Sequence, residues 1–192
     1  FLENYFPLMI EKYESAIDSG GPGLHRGGNG IHMTYRFLQK GKVSIHDDRW
    51  FVPPWGVNGG LPAKRSWKLL EKADGSKQAL GSKVDHVEVE KDDLLHYVTW
   101  GGGGWGDRLQ RDPEIVAGEV RQGLVSVDGA GDYGVVLKKD NSVDATATEK
   151  LRKKMAADRG EPSLFDFGPD LESLRKTCLE DTGLPGPQQP VW

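Results

Sequence analysis

The chain has 192 residues, enough for one hydrophobic core or one core with a small appendage, and too few for two full domains. Its 25 basic and 29 acidic residues give a net charge of -4, and Lys and Arg are scattered, which argues against a nucleic-acid stripe or a membrane-surface patch. A single cysteine, Cys178, leaves no internal disulfide to form, and no apolar run reaches the roughly 18 to 20 residues of a membrane span, so a cytoplasmic protein is expected.

The chain opens on Phe1 rather than Met, without a charged start followed by an apolar middle, which predicts a trimmed or partial chain. From residue 8 to about 100 the pattern is strand-like. Ile31, Met33, Tyr35 and Phe37 alternate with His32, Thr34 and Arg36, as expected for a half-buried strand. Further strands are predicted over 8–17, 42–52, 66–72, 83–89 and 94–99, with turns such as Asp74-Gly75 between them. Six short strands imply a sandwich or a barrel-like sheet.

Three glycine-rich loops interrupt this region: 19–30 (SGGPGLHRGGNG), 53–60 (PPWGVNGG) and 100–107 (WGGGGWGD). Each glycine in regular structure costs about 0.5 to 1 kcal/mol relative to Ala, so such clustering requires tight turns or a backbone lying close against something else. Trp55, Trp100 and Trp105 stand in these loops and can bury large area where the loops meet one another or a partner subunit.

Beyond the third loop the pattern changes. Asp112 caps a predicted helix that has Pro113 at its first position and stops at Gly123. Residues 124–127 and 133–137 read as two short strands around Asp128-Gly129-Ala130-Gly131. A second helix starts near Asp144 or Thr146, where Thr146 and Glu149 have capping-box spacing, and ends at Gly160. A third spans 169–181 with Leu171, Leu174 and Cys178 on one face and Gly183 as its stop. The proline-rich tail 184–192 is extended, and Trp192 either docks on the body or faces solvent. The fold class is therefore α+β: a β-rich module over 1–140, then a helical extension and proline-rich tail over 141–192.

Two stretches fit the dinucleotide spacing G-x-G-x-x-G, Gly101/Gly103/Gly106 and Gly129/Gly131/Gly134, but neither opens directly into a helix that would receive a pyrophosphate. No Gly-Lys-Ser or Gly-Lys-Thr triplet supplies a phosphate loop. For a metal, His46 and Asp48 share a strand face and are weak candidate ligands, with Asp47 pointing away; no metal is expected on this chain. His86 and His96 read as surface positions, and Cys178 as core packing inside a helix. The remaining candidates are loop charges: Arg26 in the first loop, Asp48 and Arg49 before the second, Asp107 and Arg108 after the third. Arg26, Asp107 and Arg108 are the candidate catalytic residues.

The segments SGGPGLHRGGNGIHMTYRF, DDRWFVPPWGVNGGLP, WGGGGWGDRLQRDPEIVAGEVRQGLVS and DYGVVL, in this order, resemble the C-terminal part of the hydantoinase B/oxoprolinase family. The likeness spans residues 3–137, with a weaker echo in CLEDTGLPGPQQPVW. That family includes N-methylhydantoinase B subunits, the C-terminal half of 5-oxoprolinase and related acetone and acetophenone carboxylase subunits. The resemblance implies ATP-dependent opening of a cyclic amide such as a hydantoin or 5-oxoproline, or the related carboxylation of a ketone. It implies ATP on a hydantoinase A-type partner, and a divalent metal in an N-terminal region of the B-type chain that this sequence lacks. Trp105 stands where Tyr is usual, Arg108 where Pro is usual, and His25 where an aromatic is frequent. The alternatives are a non-catalytic truncated interaction module, or an independent binder of a small ligand on the glycine loops.

Overall fold

A computed structural model describes residues 1–188; Trp192 lies outside them. In chain order the elements are α1 (Leu2–Tyr5), β1 (Leu8–Ser15), β2 (Ile31–Phe37), β3 (Gly41–His46), β4 (Gly56–Val57), β5 (Trp67–Glu71), β6 (Lys77–Ala79), β7 (Lys83–Val89) and β8 (Leu94–Val98). There follow α2 (Pro113–Arg121), α3 (Ala145–Arg159), β9 (Phe165–Asp166) and α4 (Leu171–Thr182).

Five strands form one antiparallel sheet in the order β1-β2-β8-β5-β6, and β3 pairs with β7 in a second, two-stranded sheet. The register lines up Tyr35, Leu95 and Leu70 across β2, β8 and β5. Their side chains, with Phe37 and Leu80, meet Ile45 and Val89 of the two-stranded sheet in one core. This is the two-layer arrangement of a sandwich, since β1 and β6 remain as edges and no barrel closes. Each fully buried aliphatic or aromatic side chain supplies about 1.5 to 3 kcal/mol of transfer free energy, so this cluster is the anchor of the β-rich part.

A second core gathers Val116 of α2 with Val125, Ala130, Tyr133 and Val135. Here the expectation of strands at 124–127 and 133–137 is corrected. Residues Gly129–Tyr133 form a 3₁₀ turn that ends at Gly134 with φ +64°. Ala130 and Tyr133, three apart, point into the same core, a spacing that a helical turn satisfies and a strand does not. The predicted strand over 42–52 likewise stops at His46, because Asp47 is drawn inside and Arg49 adopts a φ of +55°.

The helices follow their caps. Asp112 Oδ1 accepts from Glu114 N at 2.9 Å ahead of Pro113, and Asp170 Oδ1 accepts from Glu172 and Ser173 amides ahead of α4. Asp144 Oδ1 accepts from Ala147 N, so Asp144 caps α3 and the Thr146/Glu149 spacing is not used as a cap. Leu174 and Cys178 of α4 are buried as expected, whereas Leu171 is exposed. The C-terminal residues also return to the β-rich part, where β9 pairs with β4 of the second glycine loop.

Candidate functional site

The three glycine loops converge and hydrogen-bond to one another through their backbones. Gly21 N donates to Gly102 O at 2.8 Å, Gly102 N to Gly28 O at 2.8 Å, and His25 and Trp105 exchange bonds of 2.9 and 3.0 Å. The second loop joins through Val57 N to Gly104 O at 2.9 Å and Gly104 N to Leu61 O at 3.0 Å. A Cβ at Gly103 would fall on the carbonyl oxygen of Trp55, and one at Gly27 on that of Gly102. The glycines thus allow one backbone to lie against another, with no room left between them for a phosphate. The tryptophans are not the filling of this junction: Trp55, Trp100 and Trp105 are 45%, 37% and 49% exposed, and among the described residues the buried tryptophan is Trp50.

The loop charges separate into paired and unpaired groups. Arg26 Nε donates to Glu119 Oε1 at 3.1 Å, and its Nη1 donates to Gly27 O and Asn29 Oδ1. Arg111 Nη2 shares the same Glu119 oxygen at 2.8 Å, so the first loop is fastened to α2 by a network in which both arginines are occupied. Asp107 accepts a two-pronged bond from Arg159 of α3, 2.7 Å to Oδ1 and 2.5 Å to Oδ2, and a further bond from Leu109 N. Arg108 differs. Its Nε is buried without an acceptor, as are those of Arg111 and Arg159, but here neither Nη atom has a hydrogen-bond or ion-pair partner among the described residues. Burial depresses its pKa from the ordinary value, with Asp132 opposing that effect.

Two clefts lie near the loops, and Arg108 and Arg159 line the smaller of them. The larger, about 1020 Å³, lies between β5 with the second loop and α4; Trp50, Leu61, Pro62, Trp67 and Leu174 give it an apolar wall, and Asp18, Lys64 and Asp132 charged points. The smaller, about 310 Å³, is lined by Arg108, Arg159, Glu161, Ser163 and Asp166 among others. Leu61 and Asp166 line both. The carboxyl of Asp132 is raised above the usual carboxylate value, chiefly because protein displaces part of its solvation, with Asp18 adding repulsion. Sequence reasoning missed Asp132, Arg159 and Asp166, which reach the clefts from distant segments and carry no local motif.

The other candidates do not converge. His46 pairs with Asp85 at 3.1 Å and Asp48 with Lys83 at 3.3 Å, both exposed, and Asp47 is buried on Lys68 and Ser66. Among the described residues no three His, Cys, Asp or Glu side chains are grouped as metal ligands, and the His46/Asp48 donor set does not fit the implied divalent metal. Arg49 lies over the Trp55 ring at 5.7 Å. His86 is exposed, but His96 is not the free surface position expected: its ring is 21% exposed, 3.2 Å from Thr34 Oγ1 and 3.5 Å from Glu71. Cys178 is fully buried and contacts Leu184 O. No helix among the described residues is long and apolar enough to cross a membrane.

The Arg159 bond holds the Asp107 carboxyl below the usual carboxylate range, with the Leu109 amide assisting. A carboxylate depressed in the folded state contributes stability at neutral pH that disappears as pH falls through its folded pKa. Arg159→Gln is therefore expected to lower stability at pH 7 by about 1 to 3 kcal/mol and to flatten the acid limb of the stability profile. Urea unfolding between pH 7 and pH 2 checks both, and parallel profiles for the two proteins would remove the assignment.

Residues 1–108 match the family described as Hydantoinase B/oxoprolinase. The chain belongs to this family. Among its relatives are an uncharacterized protein of Methanocaldococcus jannaschii, 38% identical over 155 residues, and the caprolactamase subunit beta of Pseudomonas jessenii, 32% identical over 164 residues. Each alignment covers 79% of this chain and 27% of the relative. The crystal structure of the ATP-dependent caprolactamase from Pseudomonas jessenii superposes with a TM-score of 0.66 at 29% identity, over 79% of this chain and 27% of that one. A nucleotide-free acetone carboxylase shares the fold, with a TM-score of 0.66 at 23% identity over 93% of this chain. The chain spans about a quarter of the length of these hydantoinase B relatives.

Proposed function

We propose that the chain forms the sheet and glycine-loop portion of a hydantoinase B-type subunit, which hydrolyses a cyclic amide such as a hydantoin or 5-oxoproline in an ATP-dependent assembly with a hydantoinase A-type partner. The observation that carries this reading is the likeness to the ATP-dependent caprolactamase, which covers 79% of this chain at 29% identity. The interlocked loops make this portion a rigid platform. The divalent metal and ATP belong, in this reading, to the remainder of the B-type subunit and to the A-type partner.

The similarity to the acetone carboxylase alpha subunit, 26% identical over 200 residues, favours ATP-dependent ketone carboxylation as the second reading. The test is ATP hydrolysis by this chain combined with an A-type partner and the remainder of a B-type subunit, with 5-oxoproline, hydantoin or acetone plus bicarbonate supplied. The expected result is turnover that needs all three proteins and a cyclic amide. Turnover on acetone alone would transfer the proposal to carboxylation, and no association in co-purification would overturn both.

A further inference from the structure

The two layers of the sandwich are unequal: β3 and β7 lie over a sheet of five strands. Lys72, next after β5, donates from Nζ to the Glu88 carbonyl of β7 at 2.9 Å, so β7 is the strand on the β5 side. The outer edge of β3 therefore lies on the side of β2 and β1. The bond from Asp47 N to Ser82 O fixes the alternation of the β3 ladder, and it turns the amides and carbonyls of Lys42, Ser44 and His46 away from β7. None of these groups has a hydrogen bond among the described residues.

The sheet face beside that free edge is apolar and bare. Leu8, Ile10 and Tyr13 of β1 stand opposite Phe37, Tyr35 and Met33 of β2, so they point to the core side of the large sheet. Ile10 and Tyr13 share that side only because Glu11 is the extra residue of a bulge; three apart in a regular strand, they would point to opposite faces. Phe37, in the core with β3 and β7, is 8% exposed, whereas Ile10 is 36% and Tyr13 67% exposed. Phe1, Tyr5 and Phe6 in and around α1 add further exposed aromatic surface next to β1. A strand added to β3 would lie about 4.8 Å further out, as β1 does from β2, and would cover Ile10, Tyr13 and Met33. We propose that the free edge of β3 and the bare face of β1 form a docking site for one β-strand from the remainder of the B-type subunit, which completes the smaller sheet of the sandwich. Relatives indicate this occupant: the chain covers 27% of the caprolactamase subunit beta, so most of such a subunit lies outside these 192 residues. An unpaired edge beside exposed aromatic side chains favours aggregation in a chain that stays alone. The strand that fits carries apolar side chains at alternate positions toward β1 and polar ones on the side of Lys42 and His46.

The choice of occupant rests on the B-type reading, and the readout is backbone protection rather than turnover. Hydrogen exchange is measured on the 192-residue chain alone and on its complex with the remainder of a B-type subunit, formed by co-expression. The amides of Lys42, Ser44 and His46 are expected to exchange freely in the chain alone and roughly a hundredfold or more slowly in the complex. Tyr13→Lys, at an exposed position, is expected to weaken the association roughly ten- to a hundredfold with the melting temperature of the chain preserved. Lys42→Pro, which deletes an outward amide and leaves the ladder to β7, is expected to weaken it likewise; should that variant fail to fold, Tyr13→Lys and the exchange pattern of the unaltered chain decide the matter. Protection already present in the chain alone, or a complex that leaves these amides unprotected, would overturn the docking site while the B-type reading stands. Protection in a complex without ATP-dependent turnover would uphold the site and remove the proposed activity. A dimer of the chain alone that protects the same amides and that Tyr13→Lys disperses would give the site to a second copy and overturn the assignment, and failure to form any complex would overturn it together with the B-type reading.

Discussion

Gly103→Ala is expected to unfold the chain or to destabilise it by about 3 kcal/mol or more, while Gly28→Ala, in a loop that Gly103 packs beside, changes stability by no more than about 0.5 kcal/mol. A methyl on Gly103 falls on the carbonyl oxygen of Trp55 and within reach of the Gly56 amide, both backbone atoms of the second loop. No rotamer change can relieve that collision. The loop would have to withdraw, breaking the bonds from Val57 N to Gly104 O and from Gly104 N to Leu61 O. Gly28 is the control, because a Cβ there meets nothing within 4 Å. Gly27→Ala, whose methyl falls on Gly102 O, should behave like Gly103→Ala. Thermal unfolding of the three variants checks the ordering, and similar melting temperatures for Gly28→Ala and Gly103→Ala would show that the loops do not interlock. The loss is a large share of a typical total of about 5 to 15 kcal/mol.

The composition of those loops told the sequence reader that a backbone lies close against something, but not what. Loop 19–30 and loop 100–107 contain no apolar alternation from which a pairing could be derived, and their contacts are made by main-chain atoms that every residue possesses. The β-rich part was legible for the opposite reason. In β2 and β8 Tyr35, Phe37 and Leu95 enter one core, and their alternation with Thr34 and Arg36 is written into the side chains even though Thr34 is itself buried on the opposite face. The strands β4, β6 and β9 are two or three residues long, too short to carry a period.

Charge was legible as position but not as partnership. Arg26, Asp107 and Arg108 were found because they stand on glycine loops, yet only the fold shows that Arg159, from 52 residues downstream, takes Asp107 and that Glu119, 93 residues downstream, takes Arg26. Ion pairs over such separations follow from the docking of α2 through the core around Val116 and Tyr133, and of α3 through Thr148 and Arg152, which bond to Val136 N and Tyr133 O, rather than from any local motif. The same docking leaves Arg108 open and brings Asp166 beside it. A candidate list drawn from loop charge alone therefore cannot rank its members; hydrogen-bond satisfaction ranks them.

Asp47 lies opposite His46 and Asp48, as strand alternation expects, and Lys68→Met measures what its burial entails. Alternation along 46–48 directed Asp47 away from the face shared by His46 and Asp48, and that direction leads inward. Asp47 is 4% exposed and Lys68 2%. Lys68 Nζ donates to Asp47 Oδ2, which also accepts from Ser66 Oγ at 2.5 Å, and the ammonium lies 5.6 Å from the Tyr97 ring. Burial pulls the Lys68 pKa below its ordinary value, against the attraction of Asp47, while burial and the neighbouring Asp47 push the Tyr97 hydroxyl up. Asp47 Oδ1 is buried with no hydrogen bond, so this carboxylate depends on the ammonium for most of its compensation. Removing the lysine strands a buried charge, and Lys68→Met is expected to cost about 3 to 5 kcal/mol. Adding Asp47→Asn should restore much of that loss, because the stranded charge disappears and Met fills most of the volume that Lys68 leaves. Urea unfolding of the two single variants and the double variant gives the coupling. Losses that simply add would mean that the pair does not act as a unit and that Asp47 finds its compensation elsewhere.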